Sequence, residues 1–163
     1  MALPNIFTKP VADTVIQRIN NLTPTTQGLW GKMAVAQMLA HCNVPYEMVY
    51  DNTHVRPNAF ARFMITLLAK NAVVSEKPYP KNSRTAPAFL IKDDKNFEAE
   101  KNRLVAYITR TQALGENHFD GKASNSFGNL TKTEWNNLFY KHLDHHLTQF
   151  GVRFFAHDGI FCQ

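Results

Sequence analysis

The stretch that decides the fold is LTKTEWNNLFYKHLDHHLTQFG, residues 130–151. Thr131 and Glu134 stand at the S/T-x-x-E spacing of a capping box, in which each side chain accepts a hydrogen bond from the other residue's backbone amide at a helix start. Trp135, Leu138, Phe139, His142 and His146 then recur at steps of three and four, which is the period of one helix face. Gly151 stands where a C-terminal glycine ends a helix. The stretch therefore predicts a helix over 131–150 whose apolar stripe, imidazoles included, points toward a core.

Outward from it, the same period marks other helices. Val11, Val15, Ile16, Ile19 and Leu22 predict a short one over 11–22, ended by Asn20, Asn21, Thr23 and Pro24. Met33, Gln37, Met38, His41, Val44 and Met48 predict a second over 30–51. Pro45 has no amide to offer the His41 carbonyl, so a kink is expected beside that histidine. Phe60, Phe63, Met64, Leu67 and Leu68 lie on one side of a segment 59–74, read as a core helix in preference to a membrane-surface or dimer face. The stretch 77–94, with Pro78, Pro80 and Pro87, reads as a long extended connection. Asn96 to Leu114 carries Phe97, Leu104, Ile108 and Thr111 inside, with Glu98, Glu100, Lys101 and Arg103 outside and Gly115 at its C-cap. Strand patterns are weak, the best being a local pairing over 152–156. Four principal helices and a smaller one predict an all-α single domain over 1–163, a helical bundle with its core roughly at 11–152.

Composition narrows the classes. With 163 residues the chain fits one domain, and such a chain buries about 70% of its unfolded surface without staples. A hydrophobic fraction of 44% beside 19% charged residues is too apolar for disorder. The longest apolar run, Phe63–Ala69, is far short of the ~18 residues that cross a bilayer. The N-terminal residues lack a basic region and a long apolar core of the secretory kind. Two cysteines, Cys42 and Cys162, make no disulfide framework, so a cytoplasmic protein is expected. Eighteen basic against 13 acidic side chains leave a net charge of +5. The excess is scattered rather than gathered in a stripe, so neither nucleic acid nor a membrane is expected as a partner.

Seven histidines are present. On a helix His142 and His146 lie about 40° apart and His142 and His145 about 60° apart, so either pair can grip one metal ion. The competing reading is a core-facing, hydrogen-bonded His142 with His145 and His146 partly in water. His41, in the apolar stripe of the second predicted helix, is the best third ligand, although taken alone it reads more readily as a satisfied core histidine. Gln37, one turn before it, is a candidate second-layer or substrate contact. Cys42 points about 100° away from His41. His54, His118 and His157 are expected at the surface. No Gly-rich phosphate loop, G-x-S-x-G or C-x-x-C occurs, and the glutamates do not form the E-x-x-H pairs of di-iron bundles.

The segments LWGKMAVAQMLAHC (29–42) and LTKTEWNNLFYKHLDHHLTQFGV (130–152) closely resemble a branch, of unknown function, of the DinB/YfiT-like superfamily of four-helix bundles. The Pro-rich loop and FEAEKNRL are similar too, so the resemblance covers roughly 11–152. It implies a DinB/YfiT-like four-helix bundle with an extra short helix, and a three-histidine metal site carried over to His41, His142 and His146. The superfamily's last helix often reads His-Arg-Gly-Gln, a register occupied here by His146-Leu147-Thr148-Gln149. That register favours His146 over His145, while Leu-Thr departs from Arg-Gly. The resemblance further implies one divalent metal ion, zinc or nickel, often in a dimer, so a homodimer is an option. Relatives include thiol S-transferases, mycothiol-dependent isomerases and hydrolases. A metal-dependent enzyme activating water or a low-molecular-weight thiol against a small-molecule substrate is the leading expectation. The alternative is a non-catalytic helical-bundle binding module with structural histidines.

Overall fold

In a computed structural model, which describes residues 2–51 and 53–153, the capping box forms. Thr131 Oγ1 accepts from the Glu134 amide at 3.2 Å and Glu134 Oε2 from the Thr131 amide at 2.9 Å. The helix so opened, here α6, runs Lys132–Gln149 and stops at Gly151, whose φ of 79° suits a residue without Cβ. α1 spans Lys9–Asn20, beginning two residues earlier than periodicity alone suggests because Pro10 is at home in a first turn. α4 spans Phe97–Leu114, with Asn96 Oδ1 accepting from the Ala99 amide at 2.9 Å.

α2 spans Val35–Tyr50, not 30–51. The stretch before it is held by the end of α6: the Leu29 amide donates to the Gln149 carbonyl at 2.7 Å, and Gln149 Nε2 donates to the Trp30 carbonyl at 2.7 Å. Gly31 at φ 83° turns the chain there, and a backbone so engaged cannot also be a helical turn. The helix is unbroken across Pro45, which withholds only the amide opposite the His41 carbonyl. Met38, Leu39, Ala40, His41, Cys42, Val44 and Tyr46 are all buried, the all-round burial of a central helix.

α1, α4, α2 and α6 contact one another in a closed ring, which makes the described residues all-α in class. Between them lie Val15 and Ile19 of α1, Met38 and Leu39 of α2, Leu104 and Ile108 of α4, and Trp135, Phe139, Leu143 and Leu147 of α6. Each such side chain contributes roughly 1.5–3 kcal/mol by leaving water.

α3, Ala59–Val74, departs from expectation: among its residues only Val74 is buried. Phe60, Phe63, Leu67 and Leu68 are exposed, so the expected core stripe faces outward. The ring of four helices closes without α3, which adds only Val74 to the buried core cluster and is tied to α6 by polar contacts as well. Asn137 Nδ2 donates to the Val74 carbonyl at 2.8 Å, Lys141 Nζ to the carbonyls of Ala72 (2.9 Å) and Ser75, and Lys70 pairs with Glu134 at 2.8 Å.

The Pro-rich connection contains a 3-10 turn, Pro87–Phe89. Periodicity misses a short helix α5, Glu116–Phe119, and a hairpin of β1, Ala123–Ser124, with β2, Gly128–Asn129. Such elements are too short to show a period. Val152 does not form the suggested strand; its amide bonds back to the Leu147 carbonyl at 3.0 Å, and 154–156 lie outside the described residues. Among the described residues no helix is long and apolar enough to cross a membrane.

Candidate metal centre

α2 and α6 bring three imidazoles together across the core. Ring centroids of His41 and His146 are 4.5 Å apart, and those of His41–His142 and His142–His146 are each 4.9 Å apart. One ring nitrogen of each lies within 4.8 Å of the others. Tetrahedral ligands at about 2.0–2.1 Å from zinc stand about 3.4 Å apart, so small rotations within the cluster suffice.

The far side of two rings determines which nitrogen faces inward. His41 Nδ1 is 2.8 Å from the Phe89 carbonyl, which can only accept, so Nδ1 carries the proton and Nε2 the lone pair. His146 Nδ1 is 2.8 Å from Gln149 Oε1. The Gln149 amide cannot flip, because its Nε2 donates to the Trp30 carbonyl; His146 therefore also offers Nε2. His142 Nε2 lies 2.9 Å from His41 Nε2 and donates to that lone pair while no metal is bound. Orientation of a ligating imidazole through its other nitrogen is the usual outer-layer device of metal sites.

Burial acts on charge in the same sense. Desolvation lowers the His41 pKa, partly opposed by the Phe89 carbonyl. His142 is held well below its ordinary value by burial and then by the neighbouring imidazoles. His146 is pushed down to about 3, by burial first and His41 second, against the Gln149 hydrogen bond. Neutral imidazole is the ligating form, so the cluster is chemically a neutral three-nitrogen set. The Phe89 ring stands edge-on to His41 and His142, at 5.5 and 5.8 Å, and covers one side.

The structure separates the two α6 pairs that spacing left open. His145 is not among the three that converge: its ring stands edge-on to His146 at 5.0 Å and to Trp30 and Tyr79 at 6.0 and 5.6 Å, and with the latter two it lines a cavity of about 220 Å³. Gln37 caps α2 through the Ala34 amide at 3.1 Å and ties down the Asp93 carbonyl at 3.4 Å; its hydrogen bonds do not run to the imidazoles. Cys42 is buried against Met38 with its thiol pKa pushed up by desolvation. His54 is not a free surface group, since Nε2 lies 2.6 Å from Glu47 Oε2. His118 is exposed, and His157 lies outside the described residues.

Three contributors escape sequence reading. Gln149 is three residues after His146, a spacing at which side chains meet, so its role had a signal. The Phe89 carbonyl had none, since a backbone oxygen carries no residue signature. Gly31 belongs with them: a Cβ there would stand 2.5 Å from Gln149 Nε2.

Fold and site together define an all-α protein whose core carries a three-histidine cluster able to hold a metal ion. The chain belongs to the family described as protein of unknown function (DUF1569), whose model matches residues 6–153 and so takes in all three histidines. No curated protein and no solved structure matches it.

Proposed function

We propose that this protein binds one divalent metal ion, zinc or nickel, through His41, His142 and His146, and acts as a metal-dependent enzyme on a small molecule. The reaction class is hydrolysis, or S-transfer with a low-molecular-weight thiol. The observation that carries this reading is the fixing of His41 and His146 by Phe89 and Gln149 with both Nε2 lone pairs turned to one point. Three protein ligands leave a fourth position free, the ligand count of catalytic rather than closed structural zinc sites. When bound, such an ion supplies Lewis acidity, acidifying a water or a thiol placed against it. The chain's own part is to keep three imidazoles neutral, hold their orientation and shield one side with Phe89. The resemblance of residues 29–42 and 130–152 to DinB/YfiT-like bundles supports the same ligand set.

A second reading, a binding module with structural histidines, draws on the 2.9 Å contact between His142 and His41, which satisfies those nitrogens without a metal. Elemental analysis of tag-free protein, expressed with zinc and nickel available, separates the two. Near one metal per chain, lost in a His142→Ala/His146→Ala variant, supports the metal site and justifies screening both reactions. Well under one metal per chain in the wild type sinks it.

A further inference from the structure

Three parts of the chain meet in the cavity of about 220 Å³ beside the metal centre. Tyr140, Lys141, Asp144, His145 and Thr148 recur at steps of three and four on α6, so one face of that helix lines it. Trp30 is held there by the hydrogen bond from Gln149 to its carbonyl at 2.7 Å. Tyr79 stands between Pro78 and Pro80, whose fixed φ angles stiffen the loop, and its hydroxyl donates to the Val73 carbonyl at 3.4 Å. The aromatic walls are thus set on anchored backbone.

The charges around the cavity do not cancel. Lys141 is only 4% exposed. Its ammonium donates to the Ala72 carbonyl at 2.9 Å and to that of Ser75, and among the described residues no carboxylate pairs with it. An ammonium has three N–H donors, so one is left over, and a charge taken out of water is costly unless an opposite charge meets it. Lys81 is a second cation, its Nζ 4.4 Å over the Trp30 ring, as Lys141 Nζ is 4.7 Å over that of Tyr79. Of the two lining acids, Asp144 is taken by Arg18 at 2.8 Å and Glu76 is not free. With Asp144 cancelled by Arg18, two lysines stand against one glutamate, an excess of one positive charge.

We propose that this cavity binds a small aryl carboxylate, its anion on Lys141 and Lys81 and its flat body against Trp30 and Tyr79. One spare donor and one excess charge match a monoanion better than a phosphate, which brings up to two charges and three strong acceptors. The volume is below the roughly 300–1,000 Å³ of pockets for drug-sized ligands, which keeps the ligand small. The His145 ring on the wall stands 5.0 Å from that of His146, yet His41, His142 and His146 do not line the cavity, so binding needs no metal.

Chelator-treated full chain is titrated with benzoate, phenylacetate and phenylpropionate, each beside its amide and beside acetate, by calorimetry and proton–nitrogen correlation NMR. At least one aryl carboxylate should bind with a dissociation constant below about 1 mM, at least tenfold tighter than its amide and than acetate. Of the two tryptophan indole signals, that of Trp30, assigned by its loss in Trp30→Phe, should move. That of Trp135, buried and donating to the Lys122 carbonyl at 3.2 Å, should stay. Lys141→Met should weaken binding at least tenfold; should that variant not fold, Lys81→Met, at an exposed position, is measured the same way. No binding by any of the three, an amide or acetate bound as tightly, an unmoved Trp30 signal, or affinity indifferent to the lysine variant each overturns the proposal.

Discussion

Gln149 determines which nitrogen His146 presents, and it does so without touching the site's centre. Gln149→Leu removes the acceptor for His146 Nδ1 and the donor to the Trp30 carbonyl, leaving buried polar groups unpaired at about 1–3 kcal/mol each. Metal affinity should fall about 10- to 100-fold, the usual cost of losing an outer-layer partner, as read by competitive chelator titration. Gly31→Ala should act in the same direction with no ligand altered, because a Cβ at φ 83° meets Gln149 Nε2 at 2.5 Å; the same titration checks it. Protons report burial. In the metal-free protein His146 stays neutral down to about 3, whereas an unfolded histidine takes a proton near 6.5. The unfolded chain therefore binds more protons between those values, so stability rises with pH across the window and is lost as pH falls from 6.5 toward 3. Urea midpoints of chelator-treated protein should drop progressively below pH 6.5, and a flat midpoint would contradict the burial. The imidazoles were legible in sequence because α6 places two of them one turn apart; what aims them is partly a backbone carbonyl, which was not.

Among the elements, α6 was read correctly almost to the residue because both its ends carry chemistry of their own, a capping box and a glycine. Thr131→Ala deletes the side-chain acceptor for the Glu134 amide and should cost about 1 kcal/mol in urea unfolding. Metal content should not change, since His142 lies about three turns downstream. α2 shows the opposite case: its apolar period continues upstream of Val35, but a long-range clamp from Gln149 unwinds that stretch, and local pattern cannot register a partner more than a hundred residues away. α3 shows a further limit. Periodicity identifies which side of a helix is apolar, not what covers it, so the stripe of Phe60 to Leu68 read as core although the ring of four helices closes without it.

At the scale of the molecule, His41 and His142 are 101 residues apart in sequence, and each sits on one of two helices that face each other in the ring. A metal held by both would tie α2 to α6, and the unfolded chain could not reproduce that geometry. Binding to the native state alone stabilises by mass action, about 2.7 kcal/mol at a free metal concentration a hundred times the dissociation constant. For a domain of this length each kcal/mol moves the melting temperature about 2–4 °C. Zinc or nickel at that excess should therefore raise Tm by roughly 5–10 °C over chelator-treated protein, measured by calorimetry. His142→Ala should melt at one temperature whether metal is present or not, because its remaining two ligands bind the ion far more weakly. An equal rise in wild type and variant would place the stabilising ion elsewhere on the chain. No rise in either would leave the hydrogen bond between His142 and His41 as what joins these two helices at their polar centre.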